Sequence, residues 1–431
     1  MTFLIISKNG DSLGLALALE REGHDGAIAI SKSDAQRVGE GLLTHVTAPV
    51  AWAREHADLV LYDMVGFGDQ ADALRDLGVP VFGASAACDH LELDRIFGLK
   101  LFKALGLTIP ETEFFPDVDF DRAIAHVRRD GGRWVFKPCG NLGTDQTLVG
   151  EDAEELIESI ERERDTAKGS DVKYPAFCLQ RFVSGVEVSV ERCYSDGLPV
   201  PGLDTMTFEE KKFLAGNLGP AVGCMGNIVA DAPAALVAAT VAHMDRWARA
   251  HRLTSFLDLN SILDERTGVP YVLEPTARFG YDALWAALRR WQMPLGETFQ
   301  ALAEGTIPRV ATRSTLAAAV RVSVPPYPSG DPKQARGVPV VDDILDDPAL
   351  WPGDVYLTEE GDLEVSGADA VVYIVTALGT TPERAYRGCY DWLATARLPN
   401  RQYRVDLLDR VAEALPRVHR WYGERKDQRV A

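Results

Sequence analysis

Three stretches of this chain carry side chains whose types and spacing suit a nucleoside triphosphate. Val135-Phe136-Lys137-Pro138 closes an apolar run on a lysine, and a glycine-bearing loop, Gly140 to Thr144, follows it. An ammonium delivered by a strand suits phosphate oxygens, as do the backbone N–H groups that a glycine-bearing loop exposes. By themselves these residues read equally well as an ordinary strand ending in lysine. In Cys178 to Glu187 a strand edge could offer backbone groups to an adenine, with Glu187 placed to accept from both ribose hydroxyls. The third stretch is a pair of strands, Asp258 to Asp264 and Pro270 to Gly280, joined by a turn. Such a pair places Asn260 and Glu274 on neighbouring rungs. Their oxygens, bridged by triphosphate, would meet the needs of Mg²⁺, which takes few protein ligands beside phosphates. Arg278 follows four residues after Glu274, suited to neutralising a transferring phosphoryl group. The plainer alternative is a surface hairpin of mixed charge.

The elements that must position these groups follow from the hydrophobic pattern. Over the first 90 residues short β-rich runs alternate with helical ones, the signature of a parallel sheet covered by helices. Phe3 to Ile6 leads through Asn9-Gly10-Asp11-Ser12 into a helix that stops near Gly23; Ser12 or Asp11 is the expected N-cap. Ala27 to Ile30, Leu59 to Tyr62 and Val79 to Phe82 supply further strands. The first turn lacks GxGxxG, so it reads as scaffold. A helix is expected over Asp94 to Ala104 and a charged, solvated one over Glu151 to Lys168. Beyond the proline-rich stretch Pro325 to Gly330, which follows a strand at Ala317 to Val324, a strand at Ala370 to Leu378 and a helix at Pro382 to Thr395 suggest a small α+β unit. The basic segment Arg417 to Arg429 reads as a solvated helix end.

Composition bounds the function. The 431 residues allow two or three domains, and 46% hydrophobic residues with 25% charged are ordinary for a globular chain. Forty-five Lys plus Arg against 64 Asp plus Glu give a net charge of -19, so no global attraction to a nucleic-acid backbone or an anionic membrane is expected. Any anionic ligand must be held by local residues. Six scattered cysteines without a CxxC pair suggest reduced thiols, and the absence of a long apolar run suggests a cytoplasmic protein with no membrane span.

Taken in order, these stretches resemble the ATP-grasp superfamily, and within it the glycinamide ribonucleotide synthetases (phosphoribosylamine-glycine ligases). Phe82-Gly83-Ala84-Ser85 through Leu93-Asp94-Arg95 to Ile109-Pro110, Phe182 to Ser189, Glu209 to Gly226, Leu273 to Gly280 and Ile374 to Gly379 carry the resemblance over nearly the whole chain. It implies an α/β and α+β protein in three parts. These are an N-terminal Rossmann-like pre-ATP-grasp domain at 1–94, an ATP-grasp domain at 95–312 with a mobile lid at about 110–180, and a C-terminal α+β domain at 313–431. It also implies ATP and Mg²⁺ (or Mn²⁺ in its place), small-molecule carboxylate and amine substrates, no nucleic-acid polymer, and a monomer or homodimer. By the same resemblance Arg95 and Lys137 would contact phosphates, with Lys211 as a helper, Gln180 and Val183 would frame the adenine, and Glu187 would hold the ribose. Glu274 would bind the metal, Arg278 would hold the phosphate or acyl phosphate, and Gly223, Met225 and Gly226 would border the amino-acid pocket.

The chain also departs from the family. The family's second metal ligand, an asparagine, is Thr276 here, and Asn260 could compensate. The family's two loops for phosphoribosylamine are replaced by Gly10 to Ala16 and by Met64 to Asp69, and its GPNTGGMG stretch by Gly219 to Gly226. Three readings stand: a related ATP-dependent carboxylate-amine ligase with another amine or acid, a genuine phosphoribosylamine-glycine ligase, or a non-catalytic ATP-binding protein.

Overall fold

The computed structural model describes residues 1–140, 147–169, 175–313 and 315–423. Most of the expected phosphate loop, 141–144, and the tail from 424 lie outside the described residues.

Among the described residues the strands form four sheets. The first comprises β1 (Thr2–Ser7), β2 (Asp25–Ile30), β3 (Thr44–His45), β4 (Leu59–Tyr62) and β5 (Val81–Phe82), all parallel in the order β3-β2-β1-β4-β5. Alternation along β1 feeds two apolar layers: Phe3 and Ile5 pack with Leu13 and Leu15, whereas Leu4 and Ile6 pack with Ala53 and Val60. Burial on both faces is what a parallel sheet requires. Successive strands fall on opposite sides of β1, so the ends of β1 and β4 form a topological switch point, where such sheets hold ligands. Gly10 makes the turn after β1 at φ +88, and a Cβ there would lie 2.6 Å from Val38 Cγ1. Ser12 is the N-cap residue of the helix Leu13–Arg21, but its side chain makes no capping bond.

The second sheet holds β6 (Thr112–Phe115), β7 (Trp134–Pro138), β8 (Leu148–Val149) and β9 (Phe177–Arg181), antiparallel in the order β6-β9-β7-β8. It has its own core of Phe115, Phe120, Trp134, Phe136, Phe177 and Leu179, reached by the helices Phe120–Asp130 and Ala153–Gly169. The latter helix is the charged one expected from Glu151 to Lys168. Lys137 therefore sits in a lobe with a separate core.

The third sheet contains β10 (Gly185–Ser195), β11 (Leu198–Pro199), β12 (Thr205–Leu214), β13 (Leu218–Asp231), β14 (Ser255–Asp264), β15 (Pro270–Thr276), β16 (Leu316–Ser323) and β17 (Leu350–Pro352). After the small hairpin of β18 (Val355–Leu357) and β19 (Leu363–Val365), β20 (Val371–Gly379) returns to it. The order is β15-β14-β10-β12-β13-β16-β20-β17, so the strands after 313 extend the sheet that begins at β10. The helix Pro382–Thr395 packs behind β16 and β20. No helix among the described residues is long and apolar enough to cross a membrane.

Candidate active site

The polar groups converge on one face of the third sheet. Asn260 and Glu274, expected on neighbouring rungs, are direct partners in the β14–β15 ladder because a bulge between Asn260 and Ser261 shifts the register by one residue. Next to them, Ser189 is the β10 partner of Asn260. The Asn260 amide donates to Glu187 Oε1 at 3.2 Å and Ser189 Oγ at 3.3 Å, which leaves its Oδ1 buried without a hydrogen-bond partner. Arg95, in the helix capped by Asp94, donates to Glu274 Oε2 at 2.9 Å and to the Pro138 carbonyl at 3.0 Å. Lys211 bonds Glu187 Oε1 at 2.7 Å. Lys137 is buried at the end of β7, and Glu274 is the anion acting on it most strongly.

Charge controls protonation here. Burial opposes the Glu274 carboxylate, but Arg95, Lys137 and Lys211 outweigh it and hold its pKa well below the usual range. The same balance lowers Glu187, where Lys211 overcomes burial. Burial lowers the pKa of Lys137, with Arg95 and Lys211 acting in the same sense and Glu274 against them. Lys211 moves the other way: despite burial, Glu187, Glu209 and Glu274 raise it. Arg95, Lys137 and Lys211 thus form a cationic crescent around two carboxylates, a charge distribution suited to a polyphosphate with a bound cation.

A magnesium ion shared with triphosphate fits this donor set, with Glu274 as its carboxylate and the orphaned Asn260 Oδ1 as a second oxygen. Thr276 lies one rung pair further on, opposite Asp258. Asp258 belongs to a buried acidic set that the sequence reading missed. Burial and Glu209 push Glu191 to about 7, and burial with Glu191 and Glu209 pushes Asp258 well up. Alternation along β10 and β14 could have flagged Glu191 and Asp258, which are register partners.

The adenine-side expectation needs one correction. A strand edge is expected in Cys178 to Glu187, but the strand at its start, β9, lies between β6 and β7 with both edges paired. Pairing ends at Arg181, and Phe182–Ser184 is the non-strand link between the second and third sheets. Val183 lies in that link. Gln180 is buried on β9, its Nε2 3.5 Å from Thr112 Oγ1 and its Oε1 without a partner.

Arg278 donates to Glu92 Oε1 at 2.9 Å; Glu92 also accepts from the Ala277 N–H at 2.7 Å. It lines a cavity of about 500 Å³ between the first sheet, the third sheet and the segment after β16. Asn9 to Ser12, Asp63 and Met64 form one wall, Pro220 to Val222 another, and Arg321, Tyr327 and Asp369 a third. Gly223, Met225 and Gly226 do not line it. Met225 is fully buried in the core, and a Cβ on Gly226 would meet Leu407 at 2.3 Å. Pro220 to Val222, just before them on β13, line it instead.

The parallel first sheet, the four-stranded lobe and the long antiparallel sheet together have the ATP-grasp fold. Along nearly its whole length the chain is similar to phosphoribosylamine-glycine ligases. It is 26% identical to that of Leifsonia xyli over 92% of this chain and 96% of the relative. To that of Streptomyces coelicolor it is 27% identical, over 80% and 81%. The Thermotoga maritima phosphoribosylamine-glycine ligase crystal structure superposes with a TM-score of 0.74 at 17% identity, covering 94% of this chain and 99% of that one. A biotin carboxylase domain from Hydrogenobacter thermophilus, solved with magnesium ADP and bicarbonate, gives a TM-score of 0.69 at 13% identity with 99% coverage of both. No family model matches the chain.

Proposed function

We propose that this protein is an ATP-dependent carboxylate-amine ligase working through an acyl phosphate, with an acceptor other than phosphoribosylamine. The observation that carries the first part is the Asn260–Glu274 rung with Arg95, Lys137 and Lys211 gathered around it. Bound magnesium would lie against Glu274 and Asn260 and supply Lewis-acid neutralisation of the phosphate oxygens. Arg95 and Lys137 would orient the triphosphate and offset charge on the transferring group, leaving little covalent work for the protein. Glu187 would receive the ribose hydroxyls, and the Gln180–Val183 segment would border the base. Arg278, at the mouth of the cavity and held by Glu92, would steady the carboxylate while it is phosphorylated and then the acyl phosphate. The lobe around 110–180, with its separate core and the Phe182–Ser184 link, would close over the nucleotide and exclude water from that intermediate.

The second part rests on the cavity wall. Gly10 to Ser12 and Met64, which replace the family's phosphoribosylamine loops, line the cavity next to Arg278. A coupled ADP-release assay over a panel of acids and amines tests the reading. Release that depends on an amine other than phosphoribosylamine supports it. Release only with phosphoribosylamine plus glycine makes the protein a phosphoribosylamine-glycine ligase, and ATP binding without turnover for any pair makes it a non-catalytic binder.

A further inference from the structure

The lining of the cavity beside Arg278 has more carboxyl groups than cations. Its two arginines are engaged: Arg278 with Glu92 at 2.9 Å and Arg321 with Asp282 at 2.8 Å. Asp354 is also engaged, accepting from the Ser366 hydroxyl and from the N–H groups of Ala368, Asp369 and Ala370. Asp11, which accepts from the Asn9 amide at 3.5 Å, Asp63 and Asp369 complete the acidic lining. Asp63, at the end of β4, is 3% exposed, and neither of its carboxylate oxygens meets a donor at hydrogen-bonding geometry. Ser7 and Ser12 lie near enough to lower its pKa somewhat, but burial and Asp11 push it up to about 7. Asp11 is raised by burial against the pull of Arg321, Asn9 and Arg278. Burial, Asp354 and Asp11 push Asp369 to about 8, although its Oδ1 accepts from the Val371 N–H at 2.8 Å. Asp11 therefore links carboxylates from the first sheet and from the segment before β20. A buried carboxylate without a donor is costly unless a ligand supplies one.

The site is also ill suited to a phosphate. The helix Leu13–Arg21 directs its N-terminus to this turn, where a phosphate would ordinarily be welcome, but Asp11 stands immediately before its N-cap. We propose that this cavity is the acceptor site of the ligase proposed above, and that the acceptor is an aliphatic amine that carries, besides the unprotonated amine that attacks, a second amine whose ammonium is received by Asp11, Asp63 and Asp369. A phosphorylated sugar amine is disfavoured by the same three carboxylates. The inference rests on the ligase reading for the word acceptor, and on the cavity alone for the charge of its occupant.

Calorimetry on the full chain with 1,4-diaminobutane, 4-aminobutyrate and ribose 5-phosphate, at pH 6.5 and 8.5, tests it. The diamine should bind, and up to about 100-fold tighter at pH 8.5, because the carboxylates must be ionised to receive it and burial pushes Asp63 to about 7 and Asp369 to about 8. Asp63→Asn should weaken the diamine at least about tenfold at pH 8.5 and leave ATP binding unchanged; Asp11→Asn serves if that variant does not fold. Ribose 5-phosphate binding more tightly than the diamine, or 4-aminobutyrate binding while the diamine does not, overturns the proposal. So does an absence of diamine binding in protein that still binds ATP, a result that leaves the ligase reading intact. Diamine binding in protein that fails to bind ATP supports the cationic occupant and removes the ligase reading instead.

Discussion

Replacing Glu274 by glutamine removes the one carboxylate on the Asn260–Glu274 rung and keeps its shape. In the free protein Glu274 neutralises Arg95 at 2.9 Å, and its side chain, although deep in the cleft, is 37% exposed to the open space in front of the sheet. Solvent screening therefore keeps the loss well below that of a dry buried pair, at about 1–2 kcal/mol. For a chain this long that corresponds to a fall of about 1–3 °C in melting temperature. The effect on ligand binding has the opposite sign. Without metal, the carboxylate repels the triphosphate and occupies Arg95 and Lys137, so its removal should tighten metal-free ATP by about fivefold to thirtyfold. With metal present, the variant should gain little from magnesium, and turnover should fall at least about 100-fold. Nucleotide titrations with and without magnesium, together with a steady-state ADP-release assay, measure all three. A variant that keeps turnover within about threefold of the parent, or whose ATP affinity responds to magnesium as the parent's does, refutes the metal assignment.

Other expectations follow from the same geometry. Lys137→Ala should cut turnover by about 100-fold or more while the protein remains folded, and full activity would remove Lys137 from the phosphate contacts. Arg321→Leu leaves Asp282 charged and buried, so urea unfolding should register a loss of about 3–5 kcal/mol; pairing it with Asp282→Leu should recover most of that, and additive losses would show the two do not act as a pair. Burial and Glu209 push Glu191 to about 7 in the folded chain, above its unfolded value, so its penalty is nearly absent at pH 4, grows as pH rises from that unfolded value to about 7, and is full above it. Glu191→Gln should accordingly stabilise the protein by about 2 kcal/mol at pH 8 and change little at pH 4; equal effects at both pH values would contradict the burial argument.

What the sequence determined by itself was local. The turn between Asp264 and Pro270 fixes the hairpin and brings Asn260 within one rung of Glu274, while a bulge between Asn260 and Ser261 makes the two direct partners. The N-terminal alternation of strand and helix, the Asp94 cap and the helix at Pro382–Thr395 were legible for the same reason, because capping, period and turn chemistry act within a few residues. Which groups meet across the chain was left to the tertiary structure. Arg95 reaches Glu274 across 179 positions, and β9 proves to be an interior strand only once β6 is seen to pair with its other side. Asp11, Asp63 and Asp369 are unremarkable one at a time; they line one cavity only when the ends of β1 and β4 are packed against the segment before β20. Sheet order and the docking of one core on another are set by the total apolar surface buried, which no short window of sequence contains, and it is that docking that excludes water and gives these charges their strength.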